Sequence, residues 1–453
     1  MCVRSVINVE QKLTRKYGLL TSTCFVVGTI IGSGIFFRND VVFAAIGGNL
    51  WTGVAAWLVG GLITLAFTYV FGVLSATHEE STGLSYFAKT LVGPRFGYLM
   101  AWFMAAIMLP SLVAVLSWVS SRFTVILFGW DVNPSFSAQT YLFALFYLIV
   151  IYAMNALSPK LGEKFHIACT FIKVIPLILM GIIGLAVGLS NGTTIYNMTS
   201  SYVAMQDGNP FLISMVATAF AYLGWEVALS LNKEIINVKR NLPLALVVGT
   251  IIIITIYVAY FVGLFSAAPV EELTSGAGVL SAFTNIFSDV GGTVLFVFII
   301  ISCLGTLNGL VTASGRLFYT MALMGKGPKQ KLLTQVDNVT TMPSNSMTIG
   351  LLLSAIFMLI LGGHQYGLYN FDIPGLVPIT FKAFLIPILV AMIIKEKKLS
   401  FVNRFVAPML AIAGGLFMIY GVVYNQGMTV LWFISFFVVI MLFGLLLEGK
   451  AKN

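Results

Sequence analysis

The sequence predicts an all-α integral membrane protein of 12 transmembrane helices, a 5+5 inverted repeat with discontinuous helices one and six plus two extra C-terminal helices. Three observations lead there. Of 453 residues, 59% are hydrophobic and only 9% are charged, whereas a soluble surface needs about a quarter of its residues charged. The apolar residues fall in long runs, and a bilayer core of roughly 30 Å takes about 20 residues of helix. Two of those runs, five spans apart, are interrupted near their middles. Disordered and fibrous classes fall on composition. The net charge of +9 does not imply a nucleic-acid partner, because the basic residues cluster between apolar runs, where they set membrane orientation.

In chain order the runs centre near Thr29, Gly61, Met108, Tyr147, Ile175, Tyr222, Thr255, Gly305, Ser354, Ala383, Gly414 and Val438. They are continuous, unlike the alternating segments of about ten residues found in membrane barrels. The chain divides into a cytoplasmic tail over 1–18, a first five-helix repeat over 19–190, and a second, inverted one over 211–395. Helices eleven and twelve follow over 404–447, then a tail over 448–453. Of the 25 Lys and Arg residues, only Arg38 and Arg122 fall on one side, while Lys173 and Lys382 lie within spans. All others fall in the tails or after even-numbered spans, so both termini are expected in the cytoplasm. No cleavable signal peptide is expected, because a charged stretch precedes a first run that is itself long enough to span. Cys2, Cys24, Cys169 and Cys303 share no metal-ligand spacing and read as free thiols, and His78, His166 and His364 lie far apart.

The interruptions carry the chemistry. Span one reads Gly28-Thr29-Ile30-Ile31-Gly32-Ser33-Gly34-Ile35-Phe36, and span six reads Phe220-Ala221-Tyr222-Leu223-Gly224-Trp225-Glu226. Gly28 and Gly32 also suit a small-xxx-small packing face that needs no substrate. The Gly-Ser-Gly triplet goes further, since it weakens the helix and frees peptide groups that hydrocarbon cannot satisfy. A half-helix beginning near Ser33 and Gly34 aims N–H groups and a positive dipole end at the break, which suits a carboxylate. Half-helices ending near Ile30 and Phe220 aim carbonyls there, which suits an ammonium. One cavity with both ends fits an α-amino acid, its side chain toward Phe220, Leu223 and Trp225. Lys173, buried within span five, needs a partner or water. Alternatively it snorkels to headgroups about two turns away.

At this point the residues resemble the amino acid–polyamine–organocation (APC) superfamily, specifically its L-type amino acid transporter branch with the bacterial serine/threonine and alanine-serine-cysteine exchangers. The resemblance covers nearly the whole chain. Besides the two broken spans, it rests on Glu80-Ser81-Thr82-Gly83-Leu84-Ser85-Tyr86, on Thr170-Phe171-Ile172-Lys173-Val174-Ile175-Pro176, and on Ser302-Cys303-Leu304-Gly305-Thr306-Leu307-Asn308-Gly309. It implies alternating access, with Ser33 and Gly34 binding the substrate carboxylate and carbonyls of Ile30, Phe220 and Leu223 taking the amino group. It also implies that Lys173 bridges spans one and eight where distant cousins hold sodium, with Thr306, Ser302 and the backbone near Gly28 as its partners. No cofactor is implied.

The chain departs from the family in places. Leu223 stands where relatives often carry a smaller or polar residue, which favours small neutral substrates over large aromatic ones. Glu226 replaces the more usual Asn or Asp; it either faces the cavity and titrates or hydrogen-bonds locally to close the break. Lys382, near the middle of span ten, matches no family motif, while Asn308 and Arg316 read as structural. The expected activity is sodium-independent exchange of small neutral L-amino acids. The alternative is proton-coupled uptake through Lys173 or Glu226. An enzyme lacks a nucleophile, base or metal cluster at a membrane face, and a channel suits two broken midplane helices less well than a carrier. The loop from Gly129 to Gln139 has no cysteine, so no disulfide-linked heavy subunit is expected. The chain should act as a monomer or homo-oligomer in a bacterial cytoplasmic membrane.

Overall fold

The computed structural model describes residues 15–448 apart from 16, 80, 82, 131–136, 200–207, 230–231, 233–234, 275–277, 341 and 369–371. The expected positions Glu80 and Thr82, the tails before Arg15 and after Glu448, and the loop centre at 131–136 lie outside the described residues. Side chains of His166, Thr170 and Phe171 do too. The described architecture is all helical.

Among the described residues, ten helices are long and apolar enough to cross a bilayer, and bent pairs bring the number to as many as 12. Span one comprises Leu19–Ile30 and Gly34–Ile46, bent by 41° at the break. Spans two to four are Leu50–Thr77, Pro94–Phe128 and Ala138–Leu157. Span five runs through Pro159–Ile172, helical Lys173 and Val174–Leu179 to Leu185–Ser190. Span six is Pro210–Ala221 followed, after Tyr222, Leu223 and Gly224, by Trp225–Ala228. Spans seven to ten are Val238–Ala267, Gly278–Leu323, Ser344–Gln365 and Ile373–Lys395. In span eight the helix is interrupted at Ser288, whose φ is 64°. Spans eleven and twelve are Val402–Gln426 and Thr429–Leu446.

Small residues let these rods approach closely. A β-carbon on Gly61 of span two would lie 2.5 Å from Ile254 Cγ1 of span seven, and one on Gly188 of span five would lie 2.0 Å from the Ser266 carbonyl oxygen. Backbone contact of this kind replaces the hydrophobic driving force that lipid removes. The same device interlocks the two breaks. A β-carbon on Gly34 would sit 2.6 Å from Ala221 Cα, and one on Gly224 would sit 2.3 Å from the Thr29 carbonyl oxygen. Each break therefore wedges against the backbone of the other, and Gly224 also needs glycine for its φ of 113°.

Charged groups tie the ends of the spans together. On the face carrying the N-terminal tail, Glu79 after span two takes Arg15 at 3.0 Å and Lys239 of span seven at 3.0 Å. Nearby, the Ile236 N–H donates to the Tyr17 carbonyl at 2.9 Å, and His78 meets Glu396 at 3.0 Å. On the opposite face, Arg38 of span one pairs with Asp372 at the start of span ten at 2.9 Å, and Arg122 of span three pairs with Asp40 at 2.8 Å. Phe37 packs edge-on against Phe220 with centroids 5.2 Å apart. Above this layer lies a vestibule of about 630 Å³ whose lining includes Phe37, Arg38, Trp118, Arg122 and Asp372.

Two expectations follow. Gly224→Ala combines positive φ with a backbone clash, a cost of about 2–4 kcal/mol. Gly129→Ala, where φ is 62° and nothing lies within 4 Å of the added carbon, costs about 1 kcal/mol. Unfolding midpoints in detergent should rank the two in that order. The Arg15 hydrogen bond, then that of Lys239, holds the Glu79 carboxyl below its usual range. Because this pKa is depressed on folding, the clamp is complete at neutral pH and is lost as pH falls through the lowered value. Amide exchange at Ile236 should then be faster in Glu79→Gln than in the parent at about pH 7, and the difference should vanish near about pH 3.

Candidate functional site

At the break of span one the helix ends at Ile30, because Ile31 turns extended with φ −65° and ψ 102°. The next helix starts at Gly34, so the N–H groups of Gly32, Ser33 and Gly34 have no acceptor among the described residues. Ser33 is buried and its Oγ also lacks a partner. Four donors thus converge where an aligned helix end adds partial positive charge. Hydrocarbon cannot satisfy them, and the carboxylate of a small molecule can.

The carbonyl side is more heavily used than the residue pattern implies. Tyr257 of span seven places its hydroxyl 3.2 Å from the Ile30 carbonyl and 3.1 Å from the Ala221 carbonyl. A phenol carries one proton, so it donates to one of them at a time. The Phe220 carbonyl accepts from the Leu223 N–H at 3.3 Å. Ile30 is therefore not a free acceptor for a ligand ammonium, and an amino group placed there would share that carbonyl with Tyr257. Tyr257 itself was not singled out by the motifs. Its signal was a hydroxyl inside an apolar span, where a tyrosine needs a partner for its polar tip.

Lys173 is 1% exposed and reaches inward: its Nζ donates to the Gly28 carbonyl at 2.8 Å and to Thr306 Oγ1 at 3.3 Å. One side chain thereby joins spans one, five and eight. Gly32 admits this packing, since a β-carbon there would stand 3.0 Å from Thr306 Cγ2. Ser302 is on the same helix, yet its hydroxyl finds no partner among the described residues and is not brought to Lys173.

Glu226 is buried and its Oε2 accepts from the Gly224 N–H at 2.9 Å. Of the two roles open to it, the local bond across the break is the one made. Trp225 lies between Phe71, at 5.4 Å, and Phe381 of span ten, at 6.2 Å. Leu223, 8% exposed, fills the gap between the half-helices. Asn308 sits away from the breaks, taking Asn155 at 2.6 Å and donating to the Gly162 carbonyl at 2.8 Å, a cross-link of spans four, five and eight. Arg316 lies against Met342.

The amino acid permease family model matches residues 17–447. The chain is 30% identical over 353 residues to the serine/threonine exchanger SteT of Bacillus subtilis, covering 78% of each chain. It is 27% identical over 340 residues to the mouse b(0,+)-type amino acid transporter 1, covering 73% of this chain and 68% of that one. Against the human cystine/glutamate transporter, identity is 25% over 339 residues, covering 74% and 66%. Among solved structures, that of MhsT in complex with L-phenylalanine superposes with a TM-score of 0.56 at 15% identity, covering 88% of this chain and 98% of that one, which shows the fold. A multi-pass membrane chain with two broken helices packed against each other, the first with unmet backbone donors, is thus a transporter and not an enzyme, and it belongs to the amino acid permease family, in the L-type branch of the APC superfamily.

Proposed function

We propose that this carrier exchanges small neutral L-amino acids, one for another, by alternating access and without sodium. The carrying observation is the Lys173 ammonium bonded to the Gly28 carbonyl and Thr306. A fixed positive charge there supplies to the span-one break what a bound cation would otherwise supply, so no ion need be recruited with each substrate. The substrate carboxylate lies on Ser33 Oγ and the N–H groups of Ser33 and Gly34. Its ammonium lies among the carbonyls of Ile30, Phe220 and Leu223, with Tyr257 releasing the Ile30 carbonyl by donating to Ala221. Leu223 and Trp225 limit the side chain to a small one. The name of the Bacillus relative, a serine/threonine exchanger, supports both exchange and size.

Alternation requires each sealed face to open in turn. The Arg38–Asp372 and Arg122–Asp40 pairs close one face, and the Glu79 clamp with His78–Glu396 closes the other. The basic tail face is the cytoplasmic one. The chain works without a disulfide-linked heavy subunit, in a bacterial cytoplasmic membrane.

The test is counterflow of labelled amino acids in proteoliposomes, with and without sodium and a pH gradient. Efflux should require external substrate and be indifferent to sodium. Uptake driven by an imposed pH gradient alone would instead favour a proton symporter, and tryptophan outcompeting alanine and serine would overturn the size limit. Lys173→Ala should reach the membrane and lose transport, since it strips the break of its cation; normal flux would remove Lys173 from the mechanism. Tyr257→Phe removes one buried hydrogen bond, about 1–2 kcal/mol, and should slow exchange roughly tenfold with little change in insertion.

A further inference from the structure

The proposed reading leaves one buried charge unused. Lys382 of span ten is 2% exposed and its Nζ has no hydrogen-bond partner among the described residues. An ammonium inside a bilayer carries three donors and is expensive unless they are met. The fold shows where its partner belongs. In a 5+5 inverted repeat, spans one and six are equivalent and so are spans five and ten, which puts Lys382 on the helix equivalent to the one that carries Lys173. Each lysine sits on the last helix of its repeat, and Lys173 serves the broken helix of its own half. The acidic side chain within electrostatic range of Lys382 is Glu226, two residues past Gly224, whose N–H it holds. Phe381, next to Lys382, packs against Trp225 at 6.2 Å. Span ten therefore passes the span-six break at this level, and Lys382 lies near the acid that bonds across that break, beside which the proposed function puts the substrate side chain.

The two lysines differ in what the protein gives them. Lys173 has a carbonyl and a hydroxyl. Lys382 has none, and Glu226 is engaged with the Gly224 N–H and forms no ion pair with it. Positive Lys382 and negative Glu226 sum to zero, so an uncharged acceptor can join them without adding net charge to a buried site, whereas a side-chain carboxylate would leave an excess negative charge.

We propose that Lys382 reads the substrate side chain, donating from Nζ to an uncharged oxygen, a hydroxyl or amide carbonyl, while Glu226 balances its charge and so excludes acidic side chains. This rests on the amino acid exchange reading and narrows its substrate class to neutral amino acids bearing a side-chain oxygen.

The test is counterflow in proteoliposomes carrying the parent chain, Lys382→Met or Glu226→Gln, with serine, alanine, glutamine and glutamate as competing substrates. Serine and alanine differ by one hydroxyl, so the parent should favour serine about tenfold, the worth of roughly one hydrogen bond. Lys382→Met should bring that ratio near unity whatever the overall rate. Glu226→Gln keeps an oxygen for the Gly224 N–H but removes the balancing charge, and should raise glutamate relative to glutamine by about tenfold or more. A parent with no serine preference, or a Lys382→Met ratio equal to the parent's, overturns the proposal and leaves amino acid exchange standing. If Lys382→Met does not reach the membrane, the Glu226→Gln arm decides, and no gain of glutamate overturns it. Absence of counterflow with every amino acid would instead sink the exchange reading itself.

Discussion

Two helices broken inside a bilayer must find partners for the peptide groups they release, and everything else in this protein is arranged around that need. Lipid offers no hydrogen bonds. The breaks therefore lean on each other, Gly34 against Ala221 and Gly224 against Thr29. Tyr257 serves a carbonyl from each, and Glu226 takes the Gly224 N–H. What is left over is chiefly donors, at Gly32, Ser33 and Gly34, while the carbonyls opposite are shared with Tyr257 and with the Leu223 N–H. In the proposed function the substrate carboxylate takes those donors and its ammonium shares the carbonyls, with no charged side chain against its backbone portion.

The buried charges follow the same economy. Arg38 and Arg122 each have a carboxylate partner that is itself partly exposed, so desolvation is limited. These pairs join span one to spans three and ten, at the face that opens in the proposed alternating access. Partly hydrated ion pairs suit such a surface, because water replaces each partner when it opens. Among the described residues Lys173 has no carboxylate; it is held by a carbonyl and a hydroxyl at the span-one break.

Much of the architecture was legible in the chain. Apolar run lengths marked the spans, and Gly-Ser-Gly with Leu-Gly-Trp marked the two discontinuities at the positions where the helices stop. Lys173 was conspicuous as an ammonium in an apolar run, and its partners Gly28 and Thr306 came with the family resemblance. Other features were invisible to pattern. Tyr257 and Asp372 sit on spans seven and ten, more than two hundred residues from Ile30 and Arg38, which they meet. Ser302 and Thr306 lie one turn apart on the same face of one helix, and only the axial position of span eight against Lys173 decides that Thr306 meets the lysine.

By itself, the sequence determined that the chain lives in a bilayer, how many times it can cross, where two crossings break and which residues carry charge inside it. Those properties depend on local composition and helix propensity, which are written residue by residue. The tertiary structure alone decided which freed groups are consumed by the protein and which remain for a ligand. That distinction separates Ile30, shared with Tyr257, from Ser33, which has no partner, and Lys173 from Lys382. The reason is that hydrogen bonds between distant spans depend on helix rotation and on approach distances of a few ångströms, and these are fixed only when the rods pack together.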